Sequence, residues 1–495
     1  MIGRTTLLIN PPLVNGVAFT RQGRCQERDE VLGTTKPPYS LVVIASLFRQ
    51  RGIDFRLIDQ TAERTSTESV ISRLDQEGFR PSLVVFCSTT PTLEFDSGEM
   101  LKLKRHYAAP IVCFGPHASA APMESMHHAP DVDAMIVGEP EDAVLAIAQL
   151  ESIDSAAGIP GVVLRKDGAV IPNTGRGVFT GFLEMPTPAW DLLPLSRYRL
   201  PLVNQPYVLV ETSRGCPYSC DFCVVPLHHG HKFRERSASM LVDEIEHAKK
   251  EHGIEYFYLW GDTVTLNAKT FSLFCDELIA RDLGIQWFAN GRADNLVDLE
   301  FVKRLRRSGC WMLSMGIESE SEAVRKDMMK RLESQKIQLA FRNLREAGIK
   351  SFAFFIYGYP GETPESMEQT TKYAIDLDAD FANFYPAVPY PGTELFAKAK
   401  RDGMLTTEDW TKMEYAYYVL QGNGLNEQVV MDALSRARRR FFLRPRYMAR
   451  HIGDIGRMLL TNQGLIWKIV TRMLLGAREK PAAPPAQAVA KTGSV

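Results

Sequence analysis

Three cysteines, Cys216, Cys220 and Cys223, stand within eight residues in the segment ETSRGCPYSCDFCVVP. Cys-x3-Cys-x2-Cys offers three thiolates to a soft metal centre. Thiolates are the donors of iron–sulfur clusters, and a full protein set for a [4Fe–4S] cluster is four. Three would leave one iron open to an outside ligand. A structural zinc site is the alternative, and it needs a fourth donor. His228, His229 or His231 could supply one. The strand before the motif and Phe222 ahead of the last cysteine favour the cluster. Cys25, Cys87, Cys113, Cys275 and Cys310 are scattered singly. Cys87 and Cys113 fall in apolar, strand-like runs, where a buried inert thiol is expected.

Something must hold that motif, and a chain of 495 residues is long enough for two or three domains. With 45% hydrophobic and 24% charged residues it can build large cores. A net charge of −1 excludes a chain built as a whole to bind nucleic acid, and no such partner is expected. The N-terminal MIGRTTLLINPPLV is too short in its apolar run, and too proline-broken, for a signal peptide. No apolar stretch reaches about 18 residues, so no membrane span is expected. Crowded thiols in such a chain fit a reducing, cytoplasmic compartment.

Residues 1–160 alternate apolar runs with amphipathic stretches. Strands are predicted near 5–10, 55–59, 83–88, 110–115 and 134–138, with helices near 41–52 and 66–77. That alternation predicts a parallel, doubly wound sheet with ligand loops at the carboxyl ends of its strands. The loops are NPP (10–12), DQT (59–61), STT (88–90), GPHAS (115–119) and GEPE (138–141). Residues 161–205 hold a small hairpin around Asp167-Gly168 and a proline-rich linker. Between 206 and 400 six further strands are predicted, at 207–213, 257–262, 286–292, 311–319, 352–360 and 381–389. Helical stretches separate them, a pattern that predicts a partial β/α barrel with its functional loops on the C-terminal face. The cysteine motif directly follows the first of these strands. Residues 401–480 read as a helical basic region, and 481–495 as a disordered tail.

The cysteine segment resembles the signature of the radical S-adenosylmethionine (SAM) superfamily. The resemblance implies a [4Fe–4S] cluster on Cys216, Cys220 and Cys223, with SAM on the open iron and cleaved to a 5′-deoxyadenosyl radical. It extends to LWGDTVTLN, where Gly261 and Asp262 would meet the SAM amino group, and to Arg292 in NGRAD. In GIES, Glu318 would contact the ribose or carboxylate, and in YGYPGET, Gly358 and Gly361 form a turn beside the adenine. PYPGTELF (389–396) is a further family-like segment. Phe222 belongs to the same cofactor shell.

The first 160 residues resemble the cobalamin-binding domain that precedes many radical SAM barrels. NPP, KPPYSLVVIAS, FGPHAS and VGEPE carry the likeness. It places Asn10, Ser88, Thr89, Gly115, Pro116, His117, Gly138 and Glu139 at a cobalamin site. The Asp-x-His-x-x-Gly motif that gives cobalt a histidine is absent, so His117 is not a like-for-like ligand. The expected fold is therefore α/β: a doubly wound Rossmann-like cobalamin-binding domain, a partial (β/α)6 TIM-type radical SAM barrel and a helical C-terminal region.

From Arg436 to Arg450 seven arginines occur with no acidic residue between them, and apolar residues recur at helical spacing through 455–475. A basic amphipathic surface of this kind can meet an anionic membrane face. The alternative is a helix packed on the barrel with a solvated basic side. The expected activity is C-methylation of an apolar or lipid-like substrate, with SAM as both methyl and radical source and an external one-electron reductant. The chain is also similar to the anaerobic cyclase of bacteriochlorophyll synthesis and to hopanoid-processing enzymes, which leaves radical cyclisation, rearrangement or oxidation as alternatives. A non-catalytic cobalamin or redox sensor is the alternative of another class, and the full set of SAM-like loops argues against it.

Overall fold

The computed structural model describes residues 4–21, 28, 35–172, 175–200, 202–454 and 456. Cys25, the 481–495 tail and the 455–475 stretch, apart from Gly456, lie outside them.

The first sheet has seven strands: β1 (Thr6–Asn10), β2 (Phe55–Asp59), β3 (Leu83–Cys87), β4 (Ile111–Phe114), β5 (Ala134–Ile136), β6 (Val162–Lys166) and β7 (Ala169–Ile171). Their order is β2-β1-β3-β4-β5-β6-β7, with β1 to β5 parallel. Every residue of β1, β3 and β4 is buried. Such unbroken apolar strands belong to a sheet covered on both faces. The order reverses at β1/β3, where ligands of open α/β sheets bind. The predicted hairpin forms β6 and β7, which extend this sheet antiparallel. Asp167 and Gly168 both have positive φ, as a two-residue hairpin turn requires. Two of the predicted loops are helical instead. Gln60–Glu63 forms a turn capped by Asp59, and Pro116–Ala120 forms a short helix. Pro116 sits at its first position, where proline's fixed φ suits a helix start.

The second sheet holds β8 (Arg199–Leu200), β9 (Gln205–Arg214), β10 (Arg234–Glu235), β11 (Tyr256–Gly261), β12 (Gln286–Gly291), β13 (Cys310–Glu318), β14 (Lys350–Tyr357) and β15 (Phe381–Pro386). Six strands run parallel in the order β9-β11-β12-β13-β14-β15, the predicted partial barrel. Ser237, Asn267, Asp298, Thr363 and Thr393 cap the helices between and after them with side-chain oxygens. Gly253 and Gly348 end two of them in the left-handed conformation. These caps fix where each strand begins and therefore which residues reach the C-terminal face.

The proline-rich stretch is packed between the sheets. Trp190 and Tyr198 are wholly buried, and the Tyr198 hydroxyl donates to Asp59 Oδ2 at 2.7 Å. One apolar core accordingly runs from β1 through this stretch into β9 and the barrel helices. The helix Glu427–Phe442 packs on β15 and on the helix Pro364–Asp376. Arg438 donates to Phe384 O at 2.8 Å, Arg444 to Phe441 O at 2.8 Å, and Arg450 pairs with Asp378 at 2.9 Å. Arg436, Arg439 and Arg446 are exposed, as are Leu443, Met448 and Ile452. Among the described residues no helix is long and apolar enough to cross a membrane.

Candidate functional site

The cysteine loop leaves the carboxyl end of β9 and is fixed from three sides. Gly215 has φ +85°, and a Cβ there would lie 2.1 Å from Lys232 O on the chain entering β10, so only glycine fits. Its N–H donates to Asp262 Oδ2 at 2.8 Å, and Cys216 N–H donates to Gly230 O at 3.1 Å. Asp221, between Cys220 and Cys223, receives the Tyr359 hydroxyl on Oδ2 at 2.5 Å and the Leu395 N–H on its carbonyl at 2.9 Å. Phe222 packs part-buried against the barrel core. The three motif thiols are half-buried, whereas Cys87, Cys113, Cys275 and Cys310 are buried. Burial pushes the Cys220 thiol up, while the Lys330 and Arg292 cations beside it act in the opposite direction. The histidines of the zinc alternative make their hydrogen bonds through Nδ1: His228 with Ser119 Oγ, His229 with Asp262 and His231 with Cys216 O.

The residues predicted around SAM gather along the same edge. Asp262 Oδ2 takes both the Gly215 N–H and the His229 imidazole, the latter at 2.8 Å, so it braces the motif. At Gly261 a Cβ would meet Ser213 Oγ at 2.7 Å, which keeps β11 tight against β9. Arg292 lies 3.8 Å over the Tyr218 ring of the motif and forks onto Asp294 with two bonds of 3.0 Å. Glu318 has φ +70° and receives Lys330 Nζ at 2.8 Å. Gly358 has φ +75°, and a Cβ would strike the Tyr418 ring at 2.6 Å. Gly361 has φ +98° in open space. Next to it Glu362 is wholly buried, and burial pushes its carboxyl up to about 7. The sequence reading missed Lys330. Its only signal was a lysine 12 residues beyond Glu318, a separation that marks no helical or strand contact.

The first-sheet residues also meet at one edge, but most are locked inward. Asn10 Nδ2 donates to Asp59 at 2.8 Å, and Ser88 Oγ to Asp96 at 2.9 Å. Thr89 lies 3.1 Å from Thr92, hydroxyl to hydroxyl. Gly115 has φ +131°, and a Cβ would come within 2.2 Å of Ser88 O. His117 is fully buried, with Nδ1 3.0 Å from Thr90 Oγ1 and its ring against Trp410. Burial drives its imidazole down to about 3, so it is neutral. The Gly138 N–H donates to Ser119 Oγ at 2.9 Å. Glu139 accepts from Phe179 N–H and is paired with Arg214 and Arg234, which hold its carboxyl at about 2 against the opposing effect of burial.

The two edges face each other across a narrow cavity of about 20 Å³. Gly115, Pro116 and Glu141 line it from the first sheet, and Glu211, Arg214 and Trp260 from the barrel. His117 is not part of that lining. Further along the barrel wall Tyr258 stacks on Phe288 at 4.5 Å, and Phe354 and Tyr385 lie 6.1 Å apart. Three half-buried thiols on one short loop are the donor type a cluster needs, although among the described residues no three ligating side chains converge on a metal position.

Residues 210–374 match the radical SAM superfamily, and residues 30–148 match the B12 binding domain. An uncharacterised methyltransferase of Pyrococcus horikoshii is 31% identical over 90% of this chain and 95% of its own length. The anaerobic magnesium-protoporphyrin IX monomethyl ester cyclase of Cereibacter sphaeroides is 27% identical over 84% of this chain and 68% of its own. Among solved structures, the cobalamin-dependent SAM radical enzyme OxsB superposes with a TM-score of 0.70 at 15% identity, over 97% of this chain and 74% of that one. The chain therefore belongs to the B12-binding radical SAM enzymes, whose cofactors are a [4Fe–4S] cluster, SAM and cobalamin.

Proposed function

We propose that this enzyme transfers a methyl group to an unactivated carbon of an apolar or lipid-like substrate held between its two cofactor edges. When bound, the cluster with SAM supplies a carbon-centred radical and cobalamin supplies the methyl group, with electrons from an external reductant. Cys216, Cys220 and Cys223 hold the cluster. Asp262 offers a carboxylate to the SAM amino group, Glu318 meets the ribose or carboxylate, Arg292 and Phe222 pack the motif, Gly261 keeps β11 close against β9 beside it, and Gly358 and Gly361 shape the turn beside the adenine. Residues 1–160 carry cobalamin at the edge of Gly115, Pro116, Gly138 and Glu139, with Asn10, Ser88, Thr89 and His117 bracing that edge from behind through Asp59, Asp96, Thr92 and Thr90, and residues 206–400 form the barrel. The observation that carries the reading is a cavity lined from both edges.

The aromatic barrel wall at Tyr258, Phe288, Phe354 and Tyr385 supports an apolar substrate, because such faces bury large apolar area. Exposed Leu443, Met448 and Ile452 beside Arg436, Arg439 and Arg446 support peripheral contact with the inner membrane face from the cytoplasm. The likeness to the cyclase over most of the chain favours radical ring formation as the second reading. Anaerobic incubation with methyl-labelled SAM, reductant and a lipid extract separates the two. Labelled lipid with S-adenosylhomocysteine is the expected result. 5′-Deoxyadenosine with neither would overturn methyl transfer.

A further inference from the structure

Arg214 is the last residue of β9, two places before Cys216. Its guanidinium is only 2% exposed. Nε and Nη2 donate to the two oxygens of Glu211 on the same strand, at 3.0 and 2.9 Å. Nη1 donates to Glu139 Oε2 at 3.0 Å and Nη2 to Glu141 Oε1 at 2.6 Å. Glu139 and Glu141 belong to the segment that follows β5 in the first sheet. Arg234, the register partner of Arg214 on β10, grips Glu139 as well. Phe182 lies against both guanidiniums, at 4.9 and 5.3 Å.

A second strap runs parallel to this one. The Gly138 N–H is bonded to Ser119 Oγ, which lies 2.9 Å from His228 Nδ1. The neighbouring His229 pairs with Asp262, and Asp262 holds the Gly215 N–H. Both straps start on loops at the carboxyl edge of the first sheet and end on residues flanking Cys216.

Burying so many charges is a poor way to gain stability alone, since well-packed apolar residues of similar volume serve as well or better. What an arginine fork adds is direction: it meets carboxylates in a fixed plane that a lysine cannot reproduce. Domains joined by an ordinary interface move relative to one another. Chemistry shared between two bound groups loses on the order of 100-fold in rate for a misplacement of about 1 Å.

We propose that Arg214 is a positioning residue that latches the first-sheet edge to the cysteine loop and so fixes the separation of cobalamin and cluster. This rests on the assignment of the two cofactors to the two facing edges. The test uses the reconstituted full-length holoenzyme, reduced so that cob(II)alamin and the reduced cluster are present together. Electron paramagnetic resonance then reads the dipolar splitting of the cobalt signal by the cluster, with iron and corrin assayed in the same samples. Arg214→Lys keeps the charge but loses the fork, and Glu141→Gln removes one carboxylate. The wild type shows a resolved splitting. Both variants keep their iron and corrin yet lose the resolved splitting to a broad line. An unchanged splitting in both variants overturns the latch, as does loss of iron or corrin from both. A wild type without the splitting refutes the assignment of cofactors to facing edges, and the latch with it.

Discussion

The barrel edge and the first-sheet edge face one cavity but are built by opposite means. At the barrel edge, charge and reactive atoms do the positioning: Arg214 on Glu211 of its own strand and across to Glu139 and Glu141 of the facing edge, His229 on Asp262, Lys330 on Glu318, and three half-buried thiols. At the first-sheet edge the hydroxyls of Ser88, Thr89 and Thr92 bond among themselves or to Asp96, and His117 is neutral. Small charged ligands must be gripped by particular side chains at particular spacings. A large flat ligand needs shape, which backbone and glycine provide.

The largest effect expected from breaking this contrast is at Arg214. Arg214→Met strands the buried carboxylates of Glu141 and Glu211, leaves Glu139 to Arg234, and should cost about 3–5 kcal/mol, read as a lower denaturation midpoint. At the opposite edge shape should dominate. Gly115→Ala forces a Cβ to within 2.2 Å of Ser88 O, for about 1–3 kcal/mol, with a matching fall in corrin uptake. Gly361→Ala has the same kind of positive φ but open space around it, so the same assay should show only about 1 kcal/mol.

Two buried groups sharpen the comparison by titrating in opposite senses. His117 is depressed from 6.5 to about 3, so its share of stability is present above 6.5 and lost as pH falls towards 3. Glu362 is raised from 4.5 to about 7, so its share is present below 4.5 and lost as pH rises through 7. Denaturation midpoints across pH should flatten on the acid side in His117→Gln and on the neutral side in Glu362→Gln. A variant whose profile parallels the wild type would contradict the corresponding assignment.

The same contrast explains what could be read from the sequence. The cysteine motif was legible because cluster ligation demands one residue type at fixed spacing, and the strand before it was predicted at 207–213 against Gln205–Arg214 observed. Helix ends were legible where Asn267, Thr363 or Gly253 marks them. The latch was not, because Arg214 and its first-sheet partners are 75 and 73 residues apart and meet only once both sheets have folded. The packing of Trp410 over His117 was hidden for the same reason. GPHAS read as a loop because its turn of helix is too short to show a period, and the proline that starts it is also a loop signal.

The most direct test of the whole account is anaerobic reconstitution of the wild type and Cys216→Ala with iron, sulfide and hydroxocobalamin, followed by reduction and SAM. The account predicts about four irons per chain, bound corrin and 5′-deoxyadenosine in the wild type, with iron and SAM cleavage lost in the variant. A cluster that survives Cys216→Ala with SAM cleavage intact would contradict it.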